Sequence, residues 1–339
     1  MIHVSLVGIP ECGASLIGAF ELVTSVGTAW NQIIERSEPE PLFHAQIVSE
    51  QAGAIRCADS WTVQPHATLA QVAHTDVIFV PSLWLGADET FAGRYAELKQ
   101  WVVDRHRDGA MICAACTGTL LLADAGLLDG ETVTTHWAYV DSLRRHYPKV
   151  RIQPEKVLVV SGDDGRIVTS GSHATWYDLL LYVISRLVGK EAALQTAKFF
   201  LLQWHTDGQL PYMAFRENLQ HGDAAIRQAQ EWLNNHYSHP NAVEALEKQS
   251  GLASRTFKRR FKQATGLTPV AYVQQVRVDR AKTLLESSDL PVDQISWRVG
   301  YEDIAFFRRL FKRMTNLRPA EYRKKFRLPV PGPAYGTKQ

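Results

Sequence analysis

The segment AMICAACTGTLLLADAG, residues 110–126, is the most informative part of the N-terminal sequence for its fold. Its apolar start predicts a strand ending at Ala115, Cys116 follows as a single turn residue, and a helical pattern begins near Gly118. This order is the layout of a nucleophile elbow, in which the turn residue lies exposed above a sheet beside helix N-terminal amides. Those amides would lower the pKa of the Cys116 thiol. The alternative is a buried structural cysteine.

Short apolar runs alternate with amphipathic stretches on both sides of this segment. Strands are expected over residues 3–9, 43–48, 76–80 and 110–115, and helices over 90–104, 174–187 and 190–202. Residues 156–161 and 166–169 predict a hairpin, because Asp164-Gly165 supplies the positive φ angles of a tight turn. The pattern predicts an α/β domain of flavodoxin-like type, with a mostly parallel sheet and helices on both faces.

Length and composition set the class of protein. At roughly 100–200 residues per domain, the 339 residues suggest two domains. Hydrophobic residues make up 45% and charged residues 21%, which excludes a disordered or fibrous chain. No apolar run reaches the ~18–20 residues of a membrane span, and the start lacks a signal-peptide pattern, so the expected location is the cytoplasm. The four cysteines are expected to be reduced.

The charge is divided unevenly along the chain. Residues 1–219 carry 16 Lys and Arg against 24 Asp and Glu, whereas residues 220–327 carry 20 against 11. A basic module of about a hundred residues behind an acidic one points to nucleic acid as the partner of the basic module.

The basic module contains an internal repeat. Val243, Leu246 and a turn at Gly251 predict a short helix, and Ser254 is the expected N-cap of a second helix with Phe257 and Phe261 on one face. Two such helices joined by a Gly-containing turn form a helix-turn-helix. The pattern recurs 49–50 residues later, and residues 270–287 predict a connecting helix between the two units.

This duplicated pattern strongly resembles the AraC/XylS DNA-binding domain over residues 222–327. The signature stretch runs from Val299-Gly300-Tyr301 through Phe307 to Pro319-Ala320-Glu321-Tyr322-Arg323. In the first unit, the expected DNA-binding residues on the second helix are its off-core positions Arg255, Lys258, Arg259 and Lys262. The first three fall within about one turn on a single face, so they are expected to enter the major groove together.

In the second unit, the expected contacts are Asp303, Ile304, Ala305, Arg308 and Arg309, a set with fewer base donors, so the first unit should dominate sequence reading. Phosphate contacts are expected from Lys312, Arg313, Arg323, Lys324 and Lys325.

The N-terminal segment resembles the GlxA-type regulators, whose first domain belongs to the class I glutamine amidotransferase-like, PfpI superfamily. The resemblance rests on Cys116-Thr117-Gly118, the following LADAGLLDG (residues 122–130), Thr134-Thr135-His136-Trp137, and Thr169-Ser170-Gly171 with Asp178 on the next predicted helix. It covers roughly residues 1–205.

The same resemblance argues against catalysis. PfpI-type hydrolases place a His directly after the elbow Cys, where this chain has Thr117, and the related isocyanide hydratases have an Asp near the position of Ser15. A cysteine without a base and an orienting acid lacks the geometry for covalent catalysis. Cys113 and Cys116 also form a C-x-x-C pattern, but zinc needs four ligands, so we expect no metal and no cofactor.

The expected ligand pocket lies at the carboxyl ends of the strands, as in open α/β sheets generally. The candidate lining residues are Ser82, Trp84, Cys116, Thr117, His136, Trp137, Ser170 and Ser172. Hydroxyls and helix N-terminal amides suit a carboxylate, and the two tryptophans suit an ammonium group. The combination favours a zwitterion such as an amino acid or a quaternary amine, a ligand class that the resemblance also implies.

The sequence therefore predicts a transcriptional regulator that binds double-stranded promoter DNA and a small effector. The expected domains are 1–205 for sensing and homodimerisation, 206–222 as a linker, 223–327 for DNA binding and 328–339 as a loose tail. RNA polymerase is a further expected partner, and activation and repression both stay open. Two alternatives remain: a cysteine-dependent amidohydrolase or hydratase with a DNA-binding tail, and an α/β domain that only dimerises.

Overall fold

The computed structural model describes residues 1–58 and 60–327 and divides into two compact units. The first is Met1–Gln209 and the second begins at Leu210. The predicted tail, residues 328–339, lies outside the described residues. Within residues 1–58 and 60–327, no helix is long and apolar enough to cross a membrane.

A seven-stranded sheet forms the centre of the first unit. The strands of this unit are β1 (Ile2–Val7), β2 (Phe43–Ser49), β3 (Ile55–Cys57), β4 (Trp61–Val63), β5 (Ala67–Thr68), β6 (Val77–Val80), β7 (Met111–Ala115), β8 (Thr132–Val133), β9 (Arg151–Ile152), β10 (Leu158–Ser161) and β11 (Ile167–Ser170). The large sheet has the order β10-β11-β7-β6-β1-β2-β5. Only β10 and β11 pair antiparallel in it, as the predicted hairpin. Two small sheets pair β3 with β4 and β8 with β9.

Every residue of the central strands β6 and β7 is buried. Because side chains alternate between the two faces of a strand, helices must cover both faces of this sheet. The helices are α1 (Ser15–Ser25), α2 (Ala96–Arg107), α3 (Gly118–Asp124), α4 (Val140–His146), α5 (Trp176–Leu187) and α6 (Lys190–Phe199). The predicted α/β class with a mostly parallel sheet is confirmed.

The second unit contains helices and no strand among its described residues. Its helices are α7 (Ala224–His236), α8 (Ala242–Ser250), α9 (Ser254–Thr265), α10 (Pro269–Ser287), α11 (Val292–Arg298), α12 (Ile304–Thr315) and α13 (Pro319–Phe326). The pairs α8–α9 and α11–α12 form the two predicted helix-turn-helix units, and α10 connects them over about 28 Å at 1.5 Å per residue.

Each helix-turn-helix unit has a core of its own. Phe257, Phe261 and Tyr272 are buried in the first core, and Phe307 and Phe311 are buried in the second. Val273 and Val276 of α10 pack in the first core, while Val278, Ala281 and Leu285 pack in the second. The repeat therefore folds as two packed units on one connecting helix.

Two local features differ from the sequence analysis. Helix α7 was not predicted, although its buried Ile226, Ala229, Gln230 and Leu233 have helical spacing. The prediction that Ser254 caps α9 is wrong. Ala253 holds the N-cap position in extended backbone, and the Ser254 hydroxyl donates instead to Glu247 Oε2 at 2.9 Å.

Gln209, the last residue of the first unit, is anchored within that unit. Gln209 is 1% exposed, and its Nε2 donates to the carbonyl oxygens of Thr135 (2.9 Å), Pro154 (3.0 Å) and Lys156 (3.0 Å) in the first unit. The next residue, Leu210, already belongs to the second unit.

Residues 210–222, here called the strap, lie on the second unit. Lys282 Nζ of α10 donates to the Met213 carbonyl at 2.7 Å. The Phe215 ring lies 5.0 Å from the Tyr272 ring in the first core, and the Tyr212 ring lies 5.0 Å from Phe326 of α13. Residues of the predicted linker 206–222 therefore contact the first unit at Gln209 and the second unit along the strap. The domain bounds 1–205 and 223–327 stay a prediction.

Candidate functional site

Helix α9 is the second helix of the first helix-turn-helix unit, and it has two opposite faces. Its apolar face carries the fully buried Phe257 and Phe261. The predicted DNA-contacting side chains are all exposed: Arg255, Lys258, Arg259 and Lys262. Because core packing fixes the apolar face, the helix presents four cations together to the outside.

Arg260, next in the sequence to these cations, has a structural role. Its Nε and Nη2 donate to both carboxylate oxygens of Asp223, at 2.8 and 2.7 Å. Asp223 also caps α7 by accepting from Ile226 N at 3.2 Å. The guanidinium lowers the pKa of the Asp223 carboxyl. This bidentate pair ties α9 to α7, and Arg260 is not among the residues predicted to contact DNA.

Helix α12, the corresponding helix of the second unit, presents fewer available cations. The Asp303 carboxylate caps the helix by accepting from Phe306 N at 2.9 Å. Arg308 Nη2 lies 2.7 Å from Asp293 Oδ1 of α11 in an exposed ion pair. Ala305 and Arg309 are exposed, and Ile304 is half-buried. The geometry therefore supports the prediction that α12 contributes less than α9 to recognition of the DNA sequence.

Of the five predicted phosphate contacts, four are exposed and one, Arg323, is bound within the unit. Lys312, Arg313 and Lys324 are exposed on the surface of the second unit. Arg323 instead donates inward, to the carbonyl oxygens of Leu285 (3.4 Å) and Leu290 (2.5 Å). Lys325 is exposed, and its Nζ lies 5.3 Å from the centre of the Tyr212 ring. Arg323 thus holds α10 and its following loop together.

We expect Asp293→Asn to strengthen DNA binding. The substitution removes the partner of Arg308 and a carboxylate that would face phosphate, and exposed ion pairs are worth up to about 1 kcal/mol, so the gain should be at most about fivefold. It should also steepen the salt dependence, by about 0.9 in the slope of log K against log salt. Fluorescence anisotropy at several salt concentrations measures both.

The matched control for this prediction is Glu244→Gln, the corresponding position of the first unit, 49 residues earlier in the repeat. In the double variant Asp293→Asn with Arg308→Ala, the gain should disappear. Equal gains with and without Arg308 would show that the ion pair has no part in DNA binding.

The elbow of the first unit has the predicted geometry but different electrostatics. Cys116 follows β7 with a left-handed φ of +58° and leads into α3. It is 4% exposed, so the expectation of an exposed turn residue is wrong. The expectation of a lowered pKa is wrong as well. Burial raises the pKa of the Cys116 thiol to about 11, because desolvation outweighs the hydrogen bonds from Thr117 and Ser82.

The hydroxyls around Cys116 are engaged with the protein itself. Thr117 Oγ1 accepts from Leu83 N at 2.8 Å and donates to the Leu83 carbonyl. Ser15 Oγ accepts from Ser82 N at 3.0 Å, and Ser82 Oγ donates to the carbonyl of His173 at 3.3 Å. These contacts lock the loop after β6 onto the elbow.

The remaining predicted ligand residues are placed as follows. Trp84 is 62% exposed and lies 5.6 Å from the His173 ring. His136 and Trp137 are half-buried neighbours with ring centres 5.2 Å apart. Ser170 is buried and its carbonyl accepts from Cys116 N at 2.8 Å, while Ser172 is half-buried. The structure thus links Ser82 to His173 and Cys116 to Ser170 by hydrogen bonds, and it places the Trp84 ring beside His173.

A buried acid that the sequence analysis did not assign a role lies elsewhere in this unit. Asp178 is 2% exposed, and its carboxylate accepts from His205 N at 2.8 Å and lies 2.7 Å from His205 Nδ1. Asp178 belongs to the residues that carry the family resemblance, but its pairing with His205 was not predicted; an acidic residue among the apolar positions of α5 is the signal that indicates a buried partner. The pair fixes the chain just before it leaves the first unit.

Two family models match the chain. The DJ-1/PfpI family model matches residues 38–186, and a helix-turn-helix domain model matches residues 246–325. The first match includes the elbow and most of the large sheet. The second includes most of both helix-turn-helix units.

Known proteins resemble most of this chain or a part of it. The HTH-type transcriptional regulator CdhR of Pseudomonas aeruginosa is 26% identical over 296 residues, which cover 86% of this chain and 84% of CdhR. The HTH-type transcriptional activator RhaS of Salmonella arizonae is 37% identical over 120 residues, which cover 34% of this chain and 43% of RhaS. A solved structure from Vibrio parahaemolyticus, described as a candidate transcriptional regulator, superposes with a TM-score of 0.50 at 18% identity, over 58% of this chain and 98% of its own.

Proposed function

Because the chain is a transcriptional regulator that joins a DJ-1/PfpI domain to an AraC-type helix-turn-helix domain, we propose that it reads promoter DNA with two unequal recognition helices. Helix α9 supplies most of the sequence reading and α12 supplies less. The α/β domain senses a small zwitterionic metabolite and forms a homodimer, in the cytoplasm. RNA polymerase is the further partner of this proposal.

The observation that carries the DNA-reading proposal is the exposed cationic face of α9. Arg255, Lys258 and Arg259 lie within about one helical turn, so they enter one major-groove segment together. In the second unit, the cap at Asp303 and the pair of Arg308 with Asp293 reduce the number of available donors.

A footprint of the full-length protein on its promoter tests this reading. Each protomer should protect two major-groove segments about 10 bp apart. Substitutions in α9 should affect one segment strongly, and substitutions between Ile304 and Arg309 should affect the other mildly. A single protected segment that is indifferent to changes in α12 would contradict the proposal.

We propose further that the elbow catalyses no turnover. A thiol with a pKa of about 11 is almost entirely protonated at pH 7, and the adjacent hydroxyls donate to or accept from the backbone rather than acting as a base. The names of the similar proteins, which are transcriptional regulators, agree with this role.

We expect Cys116→Ser to keep the fold, promoter affinity and salt dependence of the wild type. Neither protein should hydrolyse amides or peptides or hydrate isocyanides above background. Alkylation of Cys116 by iodoacetamide should be slow at pH 7 and speed up about tenfold per pH unit until the pH approaches 11, because only the thiolate reacts. Mass spectrometry of the modified peptide measures this rate. Turnover that the substitution abolishes would favour the hydrolase alternative.

A further inference from the structure

One buried cation of the second unit lies where the two helix-turn-helix cores meet. Arg277 is 6% exposed on α10, between Val276, which packs in the first core, and Val278, which packs in the second. A guanidinium carries five N–H donors in a rigid planar fork and stays charged when it is buried. Burial of such a group is costly unless its donors are bonded, so its partners indicate its role.

Three carbonyl oxygens accept hydrogen bonds from the Arg277 guanidinium. Two belong to loop 237–241, which leads from α7 into α8: Nε donates to the Tyr237 carbonyl at 2.7 Å, and Nη2 donates to the His239 carbonyl at 2.8 Å. The third belongs to turn 299–303, between α11 and α12, where Nη1 donates to the Gly300 carbonyl at 2.9 Å. One side chain therefore joins the entrance of the first helix-turn-helix unit to the turn of the second.

Turn 299–303 lies close against loop 237–241. A Cβ atom added to Gly300 would lie 2.7 Å from the Ser238 carbonyl oxygen and 2.8 Å from Arg277 Nη2, which is closer than Cβ atoms lie to such groups in proteins. Gly300 also has a left-handed φ of +89°. The Tyr301 ring packs on the same contact, with its centre 4.9 Å from the guanidinium carbon of Arg277. The close approach therefore requires glycine at position 300.

Recognition helices that are held at one separation fit only one spacing of the bases that they read. The two major-groove segments lie about 10 bp apart, or about one turn of the duplex. One inserted base pair moves the second segment by about 3.4 Å and rotates it by about 35° around the duplex axis. A pair of helices fixed by Arg277 loses contacts on such a duplex, whereas a pair without its three bonds can adjust.

Lys282 of the same helix provides a comparison. It is also buried, at 9% exposed, and its Nζ donates to the Met213 carbonyl of the strap at 2.7 Å. Lys282 therefore holds the strap, whereas Arg277 joins the two helix-turn-helix units. A substitution of Lys282 removes a buried cation from α10 and leaves the bonds of Arg277 in place.

We propose that Arg277 is a positioning residue that fixes the separation of the two recognition helices, and with it the spacing of promoter bases that the protein accepts. It acts through the turn that leads into α12 and not through a contact to DNA. The proposal rests on the two-helix reading proposed above.

A spacing series of duplexes tests this role. A duplex selected from a random pool by the full-length protein is the reference, and single base pairs are inserted or deleted between its two protected segments. Wild type should bind each altered duplex at least about tenfold more weakly than the reference, because it loses base contacts. Arg277→Met should reduce this penalty to threefold or less. Its affinity for the reference should fall at most tenfold, since the base and phosphate contacts remain.

Two further variants change the same contact in other ways. Arg277→Lys keeps the charge but has one nitrogen for three carbonyls, so its penalty should lie between those of wild type and Arg277→Met. Gly300→Ala keeps Arg277 and pushes the turn away from Ser238, so it should also lower the penalty. Lys282→Met is the matched control and should keep the wild-type penalty, even where it lowers the melting temperature.

Hydrogen exchange of the α9 and α12 amides shows whether both units are folded in each variant. If α12 loses its protection in Arg277→Met, the comparison of Arg277→Lys with Lys282→Met decides. A wild-type penalty in every folded variant at positions 277 and 300 would overturn the role of Arg277. An equal fall of the penalty in Lys282→Met would overturn it as well, because any loosening of α10 would then have the same effect.

The wild-type results separate this inference from the two-helix reading. A wild type that protects two segments and binds every spacing equally would overturn the fixed separation and keep the two-helix reading. A single protected segment would overturn the two-helix reading, and this inference with it.

Discussion

Arg259→Ala should weaken binding of the full-length protein to its promoter by about 1–3 kcal/mol, or about 5- to 150-fold, and relax discrimination at one base pair. Arg259 is exposed on α9, whose opposite face is fixed in the first core by Phe257 and Phe261. From that position a guanidinium can contact guanine O6 and N7 in a bidentate manner. Affinities for a set of promoter duplexes, each with one base pair changed, measure both effects.

Lys324→Ala is the control for this prediction. Lys324 is exposed on α13, outside both recognition helices, and its predicted contact is a phosphate. Its removal should weaken all duplexes alike and reduce the salt slope by about 1. If Arg259→Ala also weakened every duplex equally, Arg259 would be a phosphate contact and base reading would lie elsewhere on α9.

Phe257→Ala should cost about 3–5 kcal/mol of folding free energy in the first helix-turn-helix unit, and Phe307→Ala should cost the same in the second. Both rings are 0% exposed, and the two positions correspond in the repeat. Because the two cores are separate clusters, each substitution should loosen its own unit first. Hydrogen exchange of α9 and α12 amides, followed by mass spectrometry, measures this difference.

The same pair of variants should change the footprint in opposite ways. Phe257→Ala should remove the segment protected by α9 and most of the affinity, whereas Phe307→Ala should remove the other segment at a smaller loss. Val270→Ala, at a position 54% exposed on α10, is the control and should change neither. Loss of both segments in both variants would show that the two units unfold together.

Sequence patterns predicted the class and the main elements of both units, apart from α7, since burial follows periodicity. The continuous apolar run at 110–115 became β7, buried along its whole length, and the repeated aromatic positions of the second unit became two equivalent cores. The residues at which α9 meets solvent could be predicted for the same reason. Periodicity separates the buried face of a helix from the exposed one.

The interactions of single polar groups could not be predicted in this way. The pKa of Cys116 depends on how far the elbow is buried, and motif spacing does not contain that information. The partner of Arg308 is Asp293 on another helix, and the capping role of Asp303 competes with any contact to a base. Such contacts depend on side-chain positions within about an ångström, which only the packed structure supplies.

The junction between Gln209 and Leu210 defines where hybrid regulators can be built. The side chain before this peptide bond is bound within the first unit, and the strap that begins after it is bound within the second. An exchanged sensor domain should therefore end with the equivalent of Gln209, and an exchanged reader should begin with its own strap. A chimera joined at residue 222 would combine one protein's strap with another protein's α10. The contact between Lys282 and the strap would then join segments from two different proteins.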